Sequence, residues 1–344
     1  MARQKIKEFY APEELTPELL NGLVDETELR PMEILQFVDL VQHETETIEL
    51  DVLIQQTDRF ANIVGFADSS IATKGLETEK KFVNPFHVKN YHEFKLTDSK
   101  FMQRSGESVV ISAAGIAQSS AMQEQKRRNL LHWATLAMID QRTFTYQDGD
   151  KLLTVDYTSE IGVLPAPTGG VIDVSGFALR ETNRMKNTYY RLNRQVPNLA
   201  FMSAATALLF TDIAEVKAAY VALQSADPES SASLFQRFSW NGMVWVILHE
   251  QYPDIAGMLL DPITKGRIVV TVDSVLDPNP DAAGSPFKMH RASNALNNNN
   301  AARPFYDMFE VSNDPIAWGH RLYDNMVPGV SKRNAVMQWE VITP

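Results

Sequence analysis

The chain has 344 residues, enough for two ordinary domains that each bury a core. Acidic side chains outnumber basic ones 43 to 32, a net charge of −11, so a general polyanion-binding role has no electrostatic support. The absence of cysteine excludes disulfides, zinc–thiolate sites and cysteine nucleophiles. No apolar run follows Met1-Ala2-Arg3-Gln4-Lys5, and none reaches bilayer length, so a soluble protein made in the cytoplasm is expected, with no membrane contact.

The first 45 residues read as short helices on an extended arm. Pro12-Glu13-Glu14-Leu15 and Thr16-Pro17-Glu18-Leu19 place proline and acids where helices begin, and Leu19, Leu20 and Leu23 supply an apolar face. A second helical piece is expected over residues 32–41, through Ile34, Leu35, Phe37, Val38 and Val41. Faces this small need a partner surface to stay ordered. From Thr47 the pattern alternates, with Ile48, Leu50 and Val52 apolar, and residues 60–66 form a short apolar anchor. Residues 67–81 are small and polar, and 82–94 are again β-prone. Two extended runs flanking a polar tip predict a long hairpin.

The strongest helix is predicted over residues 119–144, capped by Ser119 or Ser120. Met122, Leu130, Trp133, Ala137 and Met138 recur at helical spacing, while Gln123, Glu124, Arg127 and Arg128 are placed toward water. Gln147-Asp148-Gly149-Asp150 then signals a hairpin between β-prone segments. Pro165-Ala166-Pro167-Thr168-Gly169-Gly170 reads as a linker. The second unit holds a helix over 181–195, a small-residue strand or helix over 199–210 and an amphipathic helix over 212–223. Asn241-Gly242 marks the clearest hairpin, 238–248, and 267–272 is a further strand. Asn297 to Asn300 are too polar to pack. Strands over 305–311, 317–323 and 336–341 are expected to return to the sheet begun around 146–157.

Catalytic signatures are missing: there is no glycine-rich nucleotide loop, no Walker lysine loop, no nucleophile elbow and no zincin motif. His87 and His92 are five apart on one strand and so point to opposite faces. His249-Glu250 could be half of an acid–base pair, but a surface cap to a buried strand is the simpler reading. Asp277-Pro278-Asn279-Pro280-Asp281 lacks calcium-loop spacing and reads as a solvated loop. The trio Lys126-Arg127-Arg128 reads as a solvated face or a subunit salt bridge rather than a DNA contact. No catalytic residue, metal site or cofactor is expected.

The order of parts runs arm, strand with apolar anchor, long polar-tipped hairpin, long helix, Asp-Gly hairpin, second domain and returning strands. From about Glu46 onward that order resembles the phage lambda major head protein (capsid protein E) family, with the Hong Kong 97-type shell fold. Thr47-Ile48-Glu49-Leu50-Asp51 followed by Phe60-Ala61-Asn62-Ile63-Val64-Gly65-Phe66 is similar to the lead-in to that family's extended loop. Gln103-Arg104-Ser105-Gly106-Glu107, residues 140–156, Trp240-Asn241-Gly242-Met243 through Tyr252-Pro253-Asp254, and Asp314-Pro315 with 336–341 are similar in place to later family features. The segment 170–194, rich in Arg and Asn, matches nothing in the pattern.

The resemblance implies an α+β fold: an N-terminal arm over 1–46, an extended loop (E-loop) with flanking strands over 47–100, and a peripheral domain with the spine helix over 101–168. An axial domain over 169–304 and returning strands of the peripheral domain over 305–344 complete it. It also implies a major capsid protein of a tailed double-stranded DNA phage. Such a chain would self-assemble as hexamers and pentamers into an icosahedral shell, in the host cytoplasm and then in the virion. Scaffold, portal and decoration proteins would be further partners, and DNA would be enclosed without sequence-specific binding. A non-viral compartment shell and, from another class, a cytosolic hydrolase are the alternatives. The E-loop tip is expected to touch a neighbouring subunit through Ile71, Lys74, Gly75, Leu76, Lys80 and Lys81, and Leu130, Trp133 and Ala137 to form the spine-helix core. A lysine–asparagine cross-link has no matching sequence context.

Overall fold

In the computed structural model, the chain's longest helix, α1 (Ala113–Gln141), begins six residues before the position expected from Ser119. The cap is Ser112, whose Oγ accepts a hydrogen bond from the Gly115 N–H at 3.1 Å. Ser119 and Ser120 are buried inside the helix, and the Ser119 hydroxyl meets His320 and not a terminus. The helix stops at Arg142, which turns left-handed with φ 57°, and Phe144 belongs to the following strand. The structure describes residues 9–16, 19–20, 32, 34–45, 48–53, 78–97, 100–105, 108–148, 150–167, 178–218, 236–253, 258–273, 275–276, 283–293, 304–313, 316–330 and 332–341.

Before α1 lie β1 (Phe9–Tyr10), β2 (Val38–His43), β3 (Ile48–Leu53), β4 (Thr78–Val83), β5 (Phe86–Lys95), β6 (Met102–Ser105) and β7 (Ser108–Ser112). Residues 32–41, expected to be helical, form a 3-10 turn over Ile34–Phe37 and then β2, which lies parallel to a strand far along the chain. The arm therefore rests, at these points, on its own subunit. β1 pairs with β7, and Leu15, Leu20 and Ile34 are buried in the main core.

After α1, the ribbon β8 (Thr143–Asp148) and β9 (Lys151–Asp156) carries the expected Asp-Gly hairpin. It is followed by β10 (Gly162–Leu164), α2 (Ala178–Asn193), β11 (Leu199–Ser203) and α3 (Ala204–Thr211). Next come β12 (Gln236–Trp240), β13 (Met243–Leu248), β14 (Tyr252–Pro253), β15 (Leu259–Leu260), β16 (Arg267–Thr271), β17 (Val275–Leu276) and β18 (Ala283–Gly284). The chain ends in β19 (Phe287–Ala292), β20 (Phe305–Asn313), β21 (Ile316–Val330) and β22 (Met337–Glu340). Asn241 and Gly242 take φ 51° and 65° between β12 and β13, the two positive values that a tight hairpin turn of this hand requires. Residues 219–223, at the end of the expected helix over 212–223, lie outside the described residues, as do 168–170 of the linker and Asn297 to Asn300.

Two sheets organise these elements. One has six strands in the order β10-β22-β16-β11-β13-β12. Its alternating side chains feed two cores. Leu199, Phe201, Val246 and Val269 point into the main core, while Ala200, Met202, Trp245, Ile268, Val270 and Trp339 face a second core shared with Met185, Tyr189 and Phe210. The other sheet runs β2-β19-β21-β20, with β5 also paired to β21. The last strands thus do not return to the sheet of residues 146–157. β20 and β21 join β5 and β19, β22 enters the six-stranded sheet, and β8–β9 stays a separate ribbon. That ribbon is held by its rings: Phe144 lies 4.9 Å from Trp133 and 5.2 Å from Phe86 between centroids.

Glu124 and Arg127, placed toward water by the helical pattern, instead face the sheet. Arg127 Nε donates to Glu124 Oε2 at 2.7 Å, and Arg127 Nη1 reaches Asp324 Oδ2 at 3.1 Å. Arg291 Nε lies 2.7 Å from Asp324 Oδ1. Two carboxylates and two guanidiniums are thereby buried together between α1, β19 and β21, with the Tyr306 hydroxyl 3.4 Å from Glu124 Oε2. Burial pushes the Glu124 carboxyl up, but the Arg127 hydrogen bonds and charge outweigh it and hold the group below its usual range. Removing one partner strands a buried charge. Asp324→Asn should therefore lower unfolding free energy by about 3–5 kcal/mol, read from the urea midpoint with the denaturant slope unchanged.

Candidate assembly surface

The strands β3 and β4 form an antiparallel pair, in register from Ile48↔Val83 to Leu53↔Thr78. Its root is anchored: Ile48 and Val83 are buried, and Lys81 Nζ pairs with Glu160 Oε1 at 2.9 Å while lying 5.2 Å over the Tyr157 ring. The Lys81 ammonium also donates to the Asp156 carbonyl. Lys81, expected at a neighbouring subunit, thus has partners in its own chain at the foot of the ribbon. Phe82, on the opposite face, is 68% exposed. Lys80 stands opposite Asp51 in the register. Ile71, Lys74, Gly75 and Leu76 lie outside the described residues.

Of the spine-helix residues, Ala137 is fully packed, whereas Leu130 and Trp133 are partly buried against the main core. The half-buried Trp133 ring predicts that Trp133→Ala costs about 2 kcal/mol, less than full burial of an indole would give. Thermal unfolding of that variant checks the figure.

Sequence reasoning missed two imidazole pairs under this scaffold. His43 Nε2 and His290 Nδ1 are 2.9 Å apart across β2 and β19. His320 faces His92 across β21 and β5, and its Nδ1 lies 2.9 Å from Ser119 Oγ and 3.2 Å from Gln123 Nε2. The signal was faint, since the partners are 247 residues apart in one pair and more than two hundred in the other. His87 and His92 do take opposite faces of β5; His87 Nδ1 is 2.6 Å from Asn325 Oδ1.

Burial, then the His43 and Lys288 charges, push His290 down to about 3. Burial and His92 push His320 down to about 4, against a small pull from Asp307. Both values lie below the free imidazole's, about 6.5. The unfolded chain therefore takes up protons that the fold refuses, and the stabilisation is complete above pH of about 6.5 and lost as pH falls through that window. Each group contributes a slope of about 1.4 kcal/mol per pH unit. Urea titrations between about pH 7 and 5 should show falling stability, with His320→Gln shallower by about that amount; equal slopes would acquit His320.

His249-Glu250 does not assemble a catalytic pair. Glu250 is buried and its Oε2 faces His132 Nε2 of α1 at 3.8 Å, while His249 is exposed. The open cavity beside them, about 400 Å³, is lined by His249, Glu250, Gln251 and Asp261 among apolar groups. Among the described residues no cluster of three or more His, Asp or Glu could hold a metal ion, and no helix is long and apolar enough to cross a membrane. Asp277 and Asp281 lie outside the described residues.

Exposed apolar side chains stand separately at Phe82, Leu152, Leu208 and Leu259, and β2 lies along one edge of the β21 sheet. This arrangement, a spine helix on a long-stranded sheet beside a second mixed sheet, is the fold of phage major capsid proteins, the Hong Kong 97-type shell fold. Among solved structures the chain is similar to a protein described as a capsid protein of a prophage of E. coli CFT073, at 10% identity and a TM-score of 0.58, covering 97% of this chain and 100% of that one. It is also similar to a phage-related protein from Bordetella bronchiseptica RB50, at 11% identity and a TM-score of 0.54, covering 95% and 97%. No family model and no curated protein matches the sequence.

Proposed function

We propose that the chain is the major capsid protein of a tailed double-stranded DNA phage and closes a shell from copies of itself. The observation that carries this reading is the fold, shared over nearly the whole length with a prophage capsid protein. The ribbon supports it: a two-stranded hairpin is marginal in water and needs a surface. Repeated heterologous contacts of one chain, curving back on themselves, close a shell. Hexamers and pentamers are the units, with scaffold, portal and decoration proteins as further partners and no chemistry required of any residue. A shell for a non-viral compartment uses the same contacts and differs only in its contents.

The ribbon tip is the subunit contact, with Ile71 and Leu76 as apolar anchors and Lys74 and Lys80 beside them. The pair Ile71→Asp with Leu76→Asp should leave circular dichroism unchanged and abolish stable particles in sedimentation and electron microscopy. Each anchor contributes about 1.5–3 kcal/mol per contact, repeated at every subunit. Normal particles from that variant would refute the tip contact, and a small monomer from the unaltered chain expressed alone would refute the shell.

A further inference from the structure

β5 (Phe86–Lys95) is paired with β21 along its whole length, from Phe86↔Met326 to Lys95↔Ala317, and among the described residues no strand pairs with its other edge. The pairing decides which backbone groups face that open side. The Leu96 N–H donates to the Ile316 carbonyl at 3.2 Å, so the even-numbered residues of β5 direct their backbone groups to β21. His87, Lys89, Tyr91, Glu93 and Lys95 therefore turn N–H and C=O outward. A cavity of about 400 Å³ lies beside the second half of the strand. Four consecutive residues, His92 to Lys95, line it together with Phe101 and the first turns of α1. Consecutive residues point to alternate faces, so the space runs along the strand edge and not under one face.

Long open edges invite pairing, and folds commonly guard them with bulges, covering segments or charges of one sign. The strand β20 is guarded: its ladder is irregular between Glu310 and Ser312, and the 3-10 turn Pro12–Glu14 lies against it. The register of β5 is unbroken, and its charges are of both signs. Reversed and laid against itself about Tyr91, the run Lys89-Asn90-Tyr91-His92-Glu93 sets Lys89 opposite Glu93 and Tyr91 opposite Tyr91. His87 then meets Lys95. All of these residues bond outward, so each opposed pair exchanges both of its backbone bonds, about ten across the contact. Other registers are poorer. Centring on Lys89 or on Glu93 opposes like charges, centring on His92 sets Lys89 against Lys95, and centring on Asn90 loses both Lys–Glu pairs. Contacts within the chain hold these groups only loosely: Lys95 Nζ is 3.7 Å from Glu93 Oε2, Lys89 Nζ lies 5.5 Å over the Tyr323 ring, and Tyr91 is 58% exposed.

We propose that the open edge of β5 is a docking site for β5 of a second copy, antiparallel and centred on Tyr91, so that two sheets continue into one another. Main-chain hydrogen bonds supply the attachment, as in other cases of strand addition, and the Lys89–Glu93 pairs select partner and register. The same patch serves on both copies, so the contact is isologous and closes on itself as a two-fold dimer. It is distinct from the heterologous ribbon contact proposed above and does not require the chain to close a shell.

The chain has no cysteine, which allows a register-specific test on the full-length protein. Tyr91→Cys puts one thiol of each copy at the two-fold, with Cα atoms about 5.5 Å apart. Mild oxidation with diamide should then give a disulfide-linked dimer on non-reducing gels. Lys89→Cys alone leaves the two thiols four residues apart, about 13 Å along the strands, and should give none. Lys89→Cys with Glu93→Cys joins opposed positions and should give the dimer again, which covers the case in which loss of the Tyr91 ring disturbs the sheet. On the Tyr91→Cys background, Lys89→Glu or Glu93→Lys should slow cross-linking about tenfold, and the two exchanges together should recover it. The ribbon variant Ile71→Asp with Leu76→Asp should cross-link through Tyr91→Cys as the parent does, which separates this contact from the shell. Equal yields from Tyr91→Cys and Lys89→Cys would mean chance collision and overturn the proposal. Absence of dimer from both Tyr91→Cys and the double cysteine variant, or no recovery in the charge exchange, would overturn it as well.

Discussion

The buried quartet Glu124–Arg127–Asp324–Arg291 is the joint on which the architecture depends. It ties α1 to β21, and β21 is the strand to which β5, β19 and β20 all pair. Charges of both signs are balanced within it, so burying them is tolerable only while all four are present. An apolar seam could hold a helix on a sheet at least as firmly. The ionic joint adds register, because a helix slipped by one residue would leave carboxylates and guanidiniums facing nothing. On the proposed function, a subunit that meets copies of itself has particular need of such a fixed register.

Around that joint the chain is divided unevenly between self-sufficient and dependent parts. The six-stranded sheet is covered on both faces by the two cores, with Trp245 and Trp339 fully enclosed. Ile48 and Val83 of the β3–β4 pair are buried in the core, and Lys81 pairs with Glu160 beside them.

Much of the body was legible in the sequence where the determinants are local. Asn241-Gly242 marked its hairpin because few other pairs accept two positive φ values in succession. The Asp148-Gly149 ribbon and the helix beginning near Glu181 were found by the same kind of signal. The start of the spine helix was misplaced because Ser119 looks like a cap from its neighbours alone, while its true partner, His320, is 201 residues away. Arg127 and Glu124 looked solvated for the same reason: their counter-charges on β19 and β21 are invisible to a helical wheel. The destination of the last strands was misjudged because alternation shows that a segment is a strand and not which edge it meets.

The parallel pairing of β2 with β19 has a consequence in time. The strand at residues 38–43 must wait for one at 287–292 before its ladder can form. At about 5–20 residues per second of synthesis, that interval is tens of seconds. Throughout it β2 has no ladder partner in its own chain, and long-range pairing of this kind is intrinsically slow even afterwards. On a crowded polysome, the β19 of a chain completed earlier is open to the same strand. Exchange of the leading segment between copies is therefore the characteristic error this topology invites, and release from the ribosome, rather than any local folding event, sets the earliest moment at which a subunit is whole.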